Sequence, residues 1–178
     1  MRKGIKMELG LLREFQRQVE LQCEFMMLAE KEIDDAISSK QTVRAFYGIQ
    51  NLLNAAANIS KALWGSEGSL ADERRALRDS IGVSDPSVLS DVNMRINFEH
   101  MDERLDRWWG ESTRHSHVDR NIGPMDFMKA FDDIDIFRAF DPSTGETVLW
   151  GDSFNLKTLM AEVVRIHPAM HTEGDKPQ

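Results

Sequence analysis

The sequence predicts a mainly α protein: an antiparallel four- or five-helix bundle with a C-terminal β-hairpin and a terminal helix. Three observations lead there. Apolar residues recur at helical spacing through the first two thirds of the chain. From Met7 to Ser38 there is no proline, and no glycine after Gly10. In the last third, two strand-like segments flank a run of turn-forming residues.

The first helix is expected from about Met7 to Ser38. Leu12, Phe15, Val19, Met26, Ile33 and Ile37 form its apolar stripe, and Arg13, Arg17, Glu20, Glu24 and Lys31 fill other positions. Ser38-Ser39-Lys40-Gln41 interrupts the pattern. A second helix follows from Thr42 to Trp64, where Ala55-Ala56-Ala57 would let a neighbouring helix approach closely. Gly65 to Ser69 reads as a turn. Asp72 to Ile81 reads as a short charged helix stopped by Gly82. Ser84-Asp85-Pro86 has the pattern of a helix start, because proline suits the first helical turn and Ser or Asp caps it. The helix predicted from there runs to about Trp109, and Gly110 to Pro124 reads as a polar loop. Ile134–Phe140 and Thr147–Trp150 read as strands joined by Asp141-Pro-Ser-Thr-Gly-Glu146. The last helix is expected over Asn155–Ile166, ended by His167-Pro168. The expected organisation is a helical bundle over 1–124, a hairpin and helix over 125–167 packed on it as part of the same domain, and a disordered tail over 168–178.

Composition narrows the function. The chain has 178 residues, the size of one compact domain, and 41% hydrophobic residues suffice for a sizeable core. No apolar run approaches the roughly 20 residues of a membrane span. The basic start Met1–Lys6 is not followed by a signal-peptide pattern, and Cys23 is the single cysteine, so no internal disulfide can form. A cytoplasmic location without membrane contact is expected. A net charge of −8 argues against sequence-independent nucleic-acid binding, yet allows a small positive site on an acidic body.

Residues 95–107 carry most of the chemistry. Arg95 stands five positions before His100, with Asn97, Glu99 and Asp102 between and beside them. A histidine can move a proton near neutral pH, and an arginine can hold a phosphate in a planar fork. Together they can serve metal-free phosphodiester chemistry. On a continuous helix, five residues turn by about 500°, so the two side chains would lie some ~140° apart around the axis. They could meet only in a shared groove, such as one at a dimer axis. The structural alternative pairs Arg95 with Asp91 or Glu99 four positions away and leaves His100 half-buried in the core. Asp102-Glu-Arg-Leu-Asp-Arg107 then reads as a solvated face.

The string His100-Met-Asp-Glu-Arg-Leu-Asp106, late in a bundle after a long helical hairpin, resembles the HEPN superfamily, in particular its uncharacterised prokaryotic helical-bundle proteins. Ala56-Ala-Asn-Ile-Ser-Lys-Ala-Leu-Trp64 adds to the likeness. The resemblance implies a homodimer in which arginine and histidine of two protomers meet and cut RNA without metal or cofactor, as in toxin or defence proteins. Arg95 would bind the scissile phosphate, and His100 would act around the ribose 2′-hydroxyl. Asn97, Glu99 and Asp102 would be auxiliary. One feature departs from the pattern: many catalytic members carry a polar residue directly after the arginine, and here Ile96 stands there. Partners implied are RNA and an antitoxin or other protein. The alternative is a non-catalytic nucleotide- or protein-interaction module of the same fold.

Other residues are weaker candidates. Asn51, Asn54 and Asn58 share a helix face and could line the same groove, or form plain polar surface. Arg114 and Arg120, in the loop with His115 and His117, could grip phosphate. The His115-Ser-His117 spacing can ligate metal, but no further ligand pattern supports it, so no metal is assigned. Trp108, Trp109 and Trp150 read as packing residues, and Cys23 as core.

Overall fold

The computed structural model describes residues 7–91 and 100–174. It is mainly helical, with a small four-stranded sheet and a C-terminal helix. Helices α1 (Leu9–Ser38) and α2 (Thr42–Trp64) form its spine. The reversal at Ser39–Gln41 sends α2 back antiparallel along α1. Arg44 pairs with Glu32 near the turn, and Asn58 donates to Gln22 farther along. At 1.5 Å per residue, α1 is roughly 45 Å long. Its stripe of Val19, Cys23, Met26, Ile33 and Ala36 is buried against Phe46, Ile49, Leu52, Leu53 and Ala56 of α2. Gly48 marks the closest approach of the pair: a Cβ there would stand 2.8 Å from Ile33 Cγ1 and 3.3 Å from the Ala29 carbonyl oxygen. Small residues at the crossing are what allow it.

After α2 come a 3-10 turn at Ser66–Gly68 and the short helix α3 (Arg75–Ser80). Gln16 donates to Ser80 and the Arg74 guanidinium lies 3.8 Å from the centre of the Phe15 ring, tying this segment to α1. Gly82 follows α3 with a φ of 70°, the left-handed conformation that stops a helix at low cost.

The long helix expected from Pro86 to Trp109 is not what forms. Residues 84–87 are irregular, a 3-10 turn covers Val88–Ser90, and Asp91 is extended. The physical reason lies in Asp85. Its carboxylate accepts from Trp64 Nε1 at 3.0 Å and from Arg78 at 3.1 Å, so it does not cap a helix. Ser87 caps the 3-10 turn instead, accepting from the Leu89 amide. Helix α4 begins at Met101 and runs to Glu111; His100 precedes it with φ −120° and ψ 39°.

The sheet contains more strands than the two expected. Strands β1 (Asn121–Ile122), β2 (Arg138–Phe140), β3 (Glu146–Leu149) and β4 (Asp152–Asn155) lie in the order β1-β2-β3-β4. β1 pairs parallel with β2, and the other pairs are antiparallel. Between β2 and β3 the chain reverses at Asp141–Gly145. Asp141 Oδ1 accepts from the Ser143 amide and hydroxyl, and Gly145 takes a φ of 80° against the Lys157 stem, where a Cβ would collide at 2.7 Å. Phe140, Leu149 and Phe154 join the core of α1 and α2.

Helix α5 (Leu156–Gly174) packs on α1 through Leu159, Met160, Val163 and Ile166. It passes through Pro168 to Gly174, where the sequence reading ends it at His167 and expects a tail from residue 168. Proline removes one helical hydrogen bond and crowds the preceding turn, but the buried stripe before it anchors the helix. No described helix is long and apolar enough to cross a membrane.

Candidate functional site

Of the residues assigned to the Arg–His site, Arg95, Asn97 and Glu99 lie outside the described residues. His100 and Asp102 can be placed. His100 is half-exposed at the N-terminal end of α4, with Nδ1 3.2 Å from Glu103 Oε1. Asp102 is exposed in the first turn of the same helix, where negative charge is favoured by the helix dipole. His100 itself stands just before α4, outside its helical turns.

No residue of α4 is fully buried. Two polar anchors hold it to the sheet side. Arg104 donates to Asp152 at 3.0 Å and to the Trp150 carbonyl at 3.3 Å. At the other end, Trp108 Nε1 and Ser112 Oγ both donate to Asp135 Oδ1, at 3.0 and 2.7 Å. Asp135 is 1% exposed. The Trp108 ring also meets Phe137 and His117 edge-on.

The loop basic residues separate. His117 stacks on Phe137 at 4.2 Å, and His115 Nε2 lies 3.0 Å from the Trp109 carbonyl oxygen. The His115 ring also lies 4.4 Å from the Trp109 ring, so both imidazoles are engaged in aromatic packing. Arg114 reaches the Ala130 carbonyl at 3.5 Å. Arg120 donates to Asp119 at 3.1 Å and lines a pocket of about 390 Å³ with Tyr47, Met101, Arg138 and Trp150. This pocket begins one residue from His100. Arg138 and the pocket-facing part of Trp150 carry no sequence pattern that marks them; they converge from a strand and a loop.

Asn51, Asn54 and Asn58 line a second concavity, of about 510 Å³, whose described walls are α1 and α2. It is shared with Gln22, Phe25 and Leu28, and Tyr47 stands between it and the first pocket. At its end the Arg44 hydrogen bonds hold the Glu32 carboxyl below its ordinary pKa. The asparagines thus face a groove between α1 and α2, and no described residue of the His100 segment lines it.

Cys23 lies in the core, fully buried. Burial, reinforced by the charges of Glu20 and Glu24, pushes its thiol up to about 12. The thiolate is the reactive form, so the folded protein should resist iodoacetamide at about pH 8 and react once unfolded in denaturant. Mass spectrometry of the two samples checks this; full alkylation of the folded protein within minutes would contradict it.

Compared with protein-family models, curated proteins and solved structures, the chain matches none.

Proposed function

We propose that this chain is a HEPN-like interaction module, cytoplasmic and homodimeric, whose copies pair through the outer face of α1 and α2. One observation carries the reading. Leu21, Phe25 and Leu28 stand in solvent at 39, 46 and 66% exposure, at i, i+4 and i+7 on α1. They form a second apolar stripe, turned away from the buried one of Val19, Cys23 and Met26. A helix that is apolar on two faces is expected to bury both. Beside the stripe, Asn51, Asn54 and Asn58 offer amides that both donate and accept. A two-fold axis brings the same patch together from both copies, so groups able to pair with themselves suit it. Pairing of two such helix hairpins would build a four-helix interface.

Phe25→Glu combined with Leu28→Glu should abolish this contact while leaving the fold intact, since neither side chain belongs to the core. The dissociation constant measured by sedimentation equilibrium is expected to rise at least about a hundredfold, because several carboxylates would be forced together in a desolvated interface. An unchanged dissociation constant would rule out this face. A parent that is itself monomeric up to high micromolar concentration would overturn the pairing.

A second reading rests on His100. Its exposure, and a carboxylate at Nδ1, favour proton transfer through Nε2. On the family resemblance, the base would take the 2′-hydroxyl proton of RNA as the oxygen attacks phosphorus and the 5′-oxygen leaves, with Arg95 on the phosphate. Cleavage in excess EDTA should then fall about 10²–10⁴-fold in a folded His100→Ala variant. Equal cleavage by parent and variant, or none by the parent, eliminates the nuclease and leaves the interaction module standing.

A further inference from the structure

We infer that the pocket between the N-terminal half of α2, the start of α4 and the β2–β3 edge binds a small aromatic carboxylate. Its volume, about 390 Å³, falls in the range of small-molecule sites, roughly 300–1,000 Å³. Its walls are apolar and aromatic, from Phe46, Tyr47, Met101 and Trp150, with Arg120 and Arg138 as the charged groups. That is the composition of a site for an aromatic body carrying one anionic group.

Charge sets the ligand class. In an acidic chain, two guanidiniums converge here on a single carboxylate, Asp119. Arg120 Nε donates to Asp119 Oδ2 at 3.1 Å. Arg138 Nη1 stands 3.5 Å from Asp119 Oδ1, close enough to attract but without a hydrogen bond, and that buried oxygen has no hydrogen-bond partner among the described residues. Among the described residues, two positive charges against one negative charge leave one positive charge, which matches a monoanion. A planar carboxylate fits the guanidinium fork in bidentate fashion. Arg138 is held near the Trp150 ring, 5.8 Å from its centre, which keeps its donors at the wall.

Backbone conformation adds to this at Arg120, whose φ of 56° is a left-handed conformation that side chains other than glycine rarely adopt, at the pocket wall. Trp150 is aimed by the two-residue turn between β3 and β4, where it and Gly151 take φ values of 53° and 84°, as such a turn requires at both positions. The ligand ring would lie against Tyr47 and Phe46, with its carboxylate between Arg120 and Arg138 and Gln50 at the side for a further polar group.

This inference does not depend on the dimer or on RNA cleavage. Its test is titration calorimetry of the full chain with 2-naphthoate, and with 2-naphthamide as a neutral mimic of the same shape. Saturable binding of one naphthoate per protomer is expected, with naphthamide at least about tenfold weaker. Arg120→Met and Arg138→Met should each weaken naphthoate at least about tenfold, and Phe25→Glu/Leu28→Glu should leave it unchanged. The inference is overturned if the parent shows no saturable binding up to millimolar naphthoate, or if naphthamide binds equally well. It is also overturned if the arginine variants keep the parent affinity, or if the Phe25/Leu28 variant alone loses it, which would place the ligand in the α1–α2 groove. Should Arg138→Met fail to fold, half-exposed Arg120 and the naphthamide comparison on the parent still decide.

Discussion

Replacing Arg78 by methionine is expected to destabilise the protein by about 3 kcal/mol, a large part of the roughly 5–15 kcal/mol that holds a domain folded. Arg78 is 2% exposed. Its Nη1 donates to the carbonyls of Leu63 and Ala71, at 2.8 and 2.7 Å, and its Nη2 to Asp85 at 3.1 Å. It also lies 5.3 Å from the centre of the Trp64 ring. Methionine fills similar volume but leaves the two carbonyls without this donor and takes the counter-charge from Asp85. Asp85 is partly hydrated, which limits the loss. At ~2–4 °C per kcal/mol for a chain of this size, the melting temperature should fall by roughly 10 °C. Arg78→Lys should not restore it, because a single ammonium nitrogen cannot stand at both the Nη1 and the Nη2 positions from which the acceptors are reached. Urea denaturation checks this: the midpoint should drop with an unchanged slope. A change below about 0.5 kcal/mol would show that Arg78 does not tie the end of α2 to the segment that follows.

The second large effect is local. Asp135→Ala removes the acceptor shared by Trp108 Nε1 and Ser112 Oγ. Hydrogen bonds to a charged acceptor contribute about 1.5–3 kcal/mol each, and a buried donor left alone costs about 1–3 kcal/mol. Part of this is offset because a buried carboxylate no longer has to be kept out of water. A net loss of about 2 kcal/mol follows. It should fall on α4, which lacks any fully buried residue of its own. Amide exchange over Met101–Glu111 should speed up about thirtyfold, while the central turns of α1 and α2 keep their rates. Uniform acceleration throughout the molecule would mean that α4 does not open separately. No acceleration would mean that Arg104 and its partners hold the helix without Asp135.

How far the fold can be read in the sequence follows from how each element is buried. α1 and α2 present one continuous stripe to one core, so their period and length are visible. The mainly helical character, a small sheet and a terminal helix are legible for the same reason. β4 is not, because Asp152-Ser-Phe-Asn155 buries only Phe154 and reads as polar loop. β1 is two residues long and is fixed by pairing with β2, a contact no local pattern encodes. Pro86 misleads because Asp85, a good cap by type, is taken by Trp64 and Arg78. Pro168 misleads because Leu159, Met160, Val163 and Ile166 outweigh the break.

The candidate site is legible only in part. His100 and Arg120 stand out by residue type within an acidic chain, and the asparagine face of α2 by its spacing. Among the described residues, that face opens onto α1 and not onto the His100 segment. Arg138, Asp119 and Trp150 meet from a strand, a loop and a strand end. Buried Arg78 and Asp135 look like ordinary surface charges until the fold supplies their partners.

The central claim is that two copies of this chain pair through α1 and α2. Light scattering of the parent protein across a concentration series tests it most directly. The account predicts a mass of twice 20.4 kDa at micromolar concentration, falling toward the single-chain value on dilution. A constant mass of 20.4 kDa up to high micromolar concentration would contradict it.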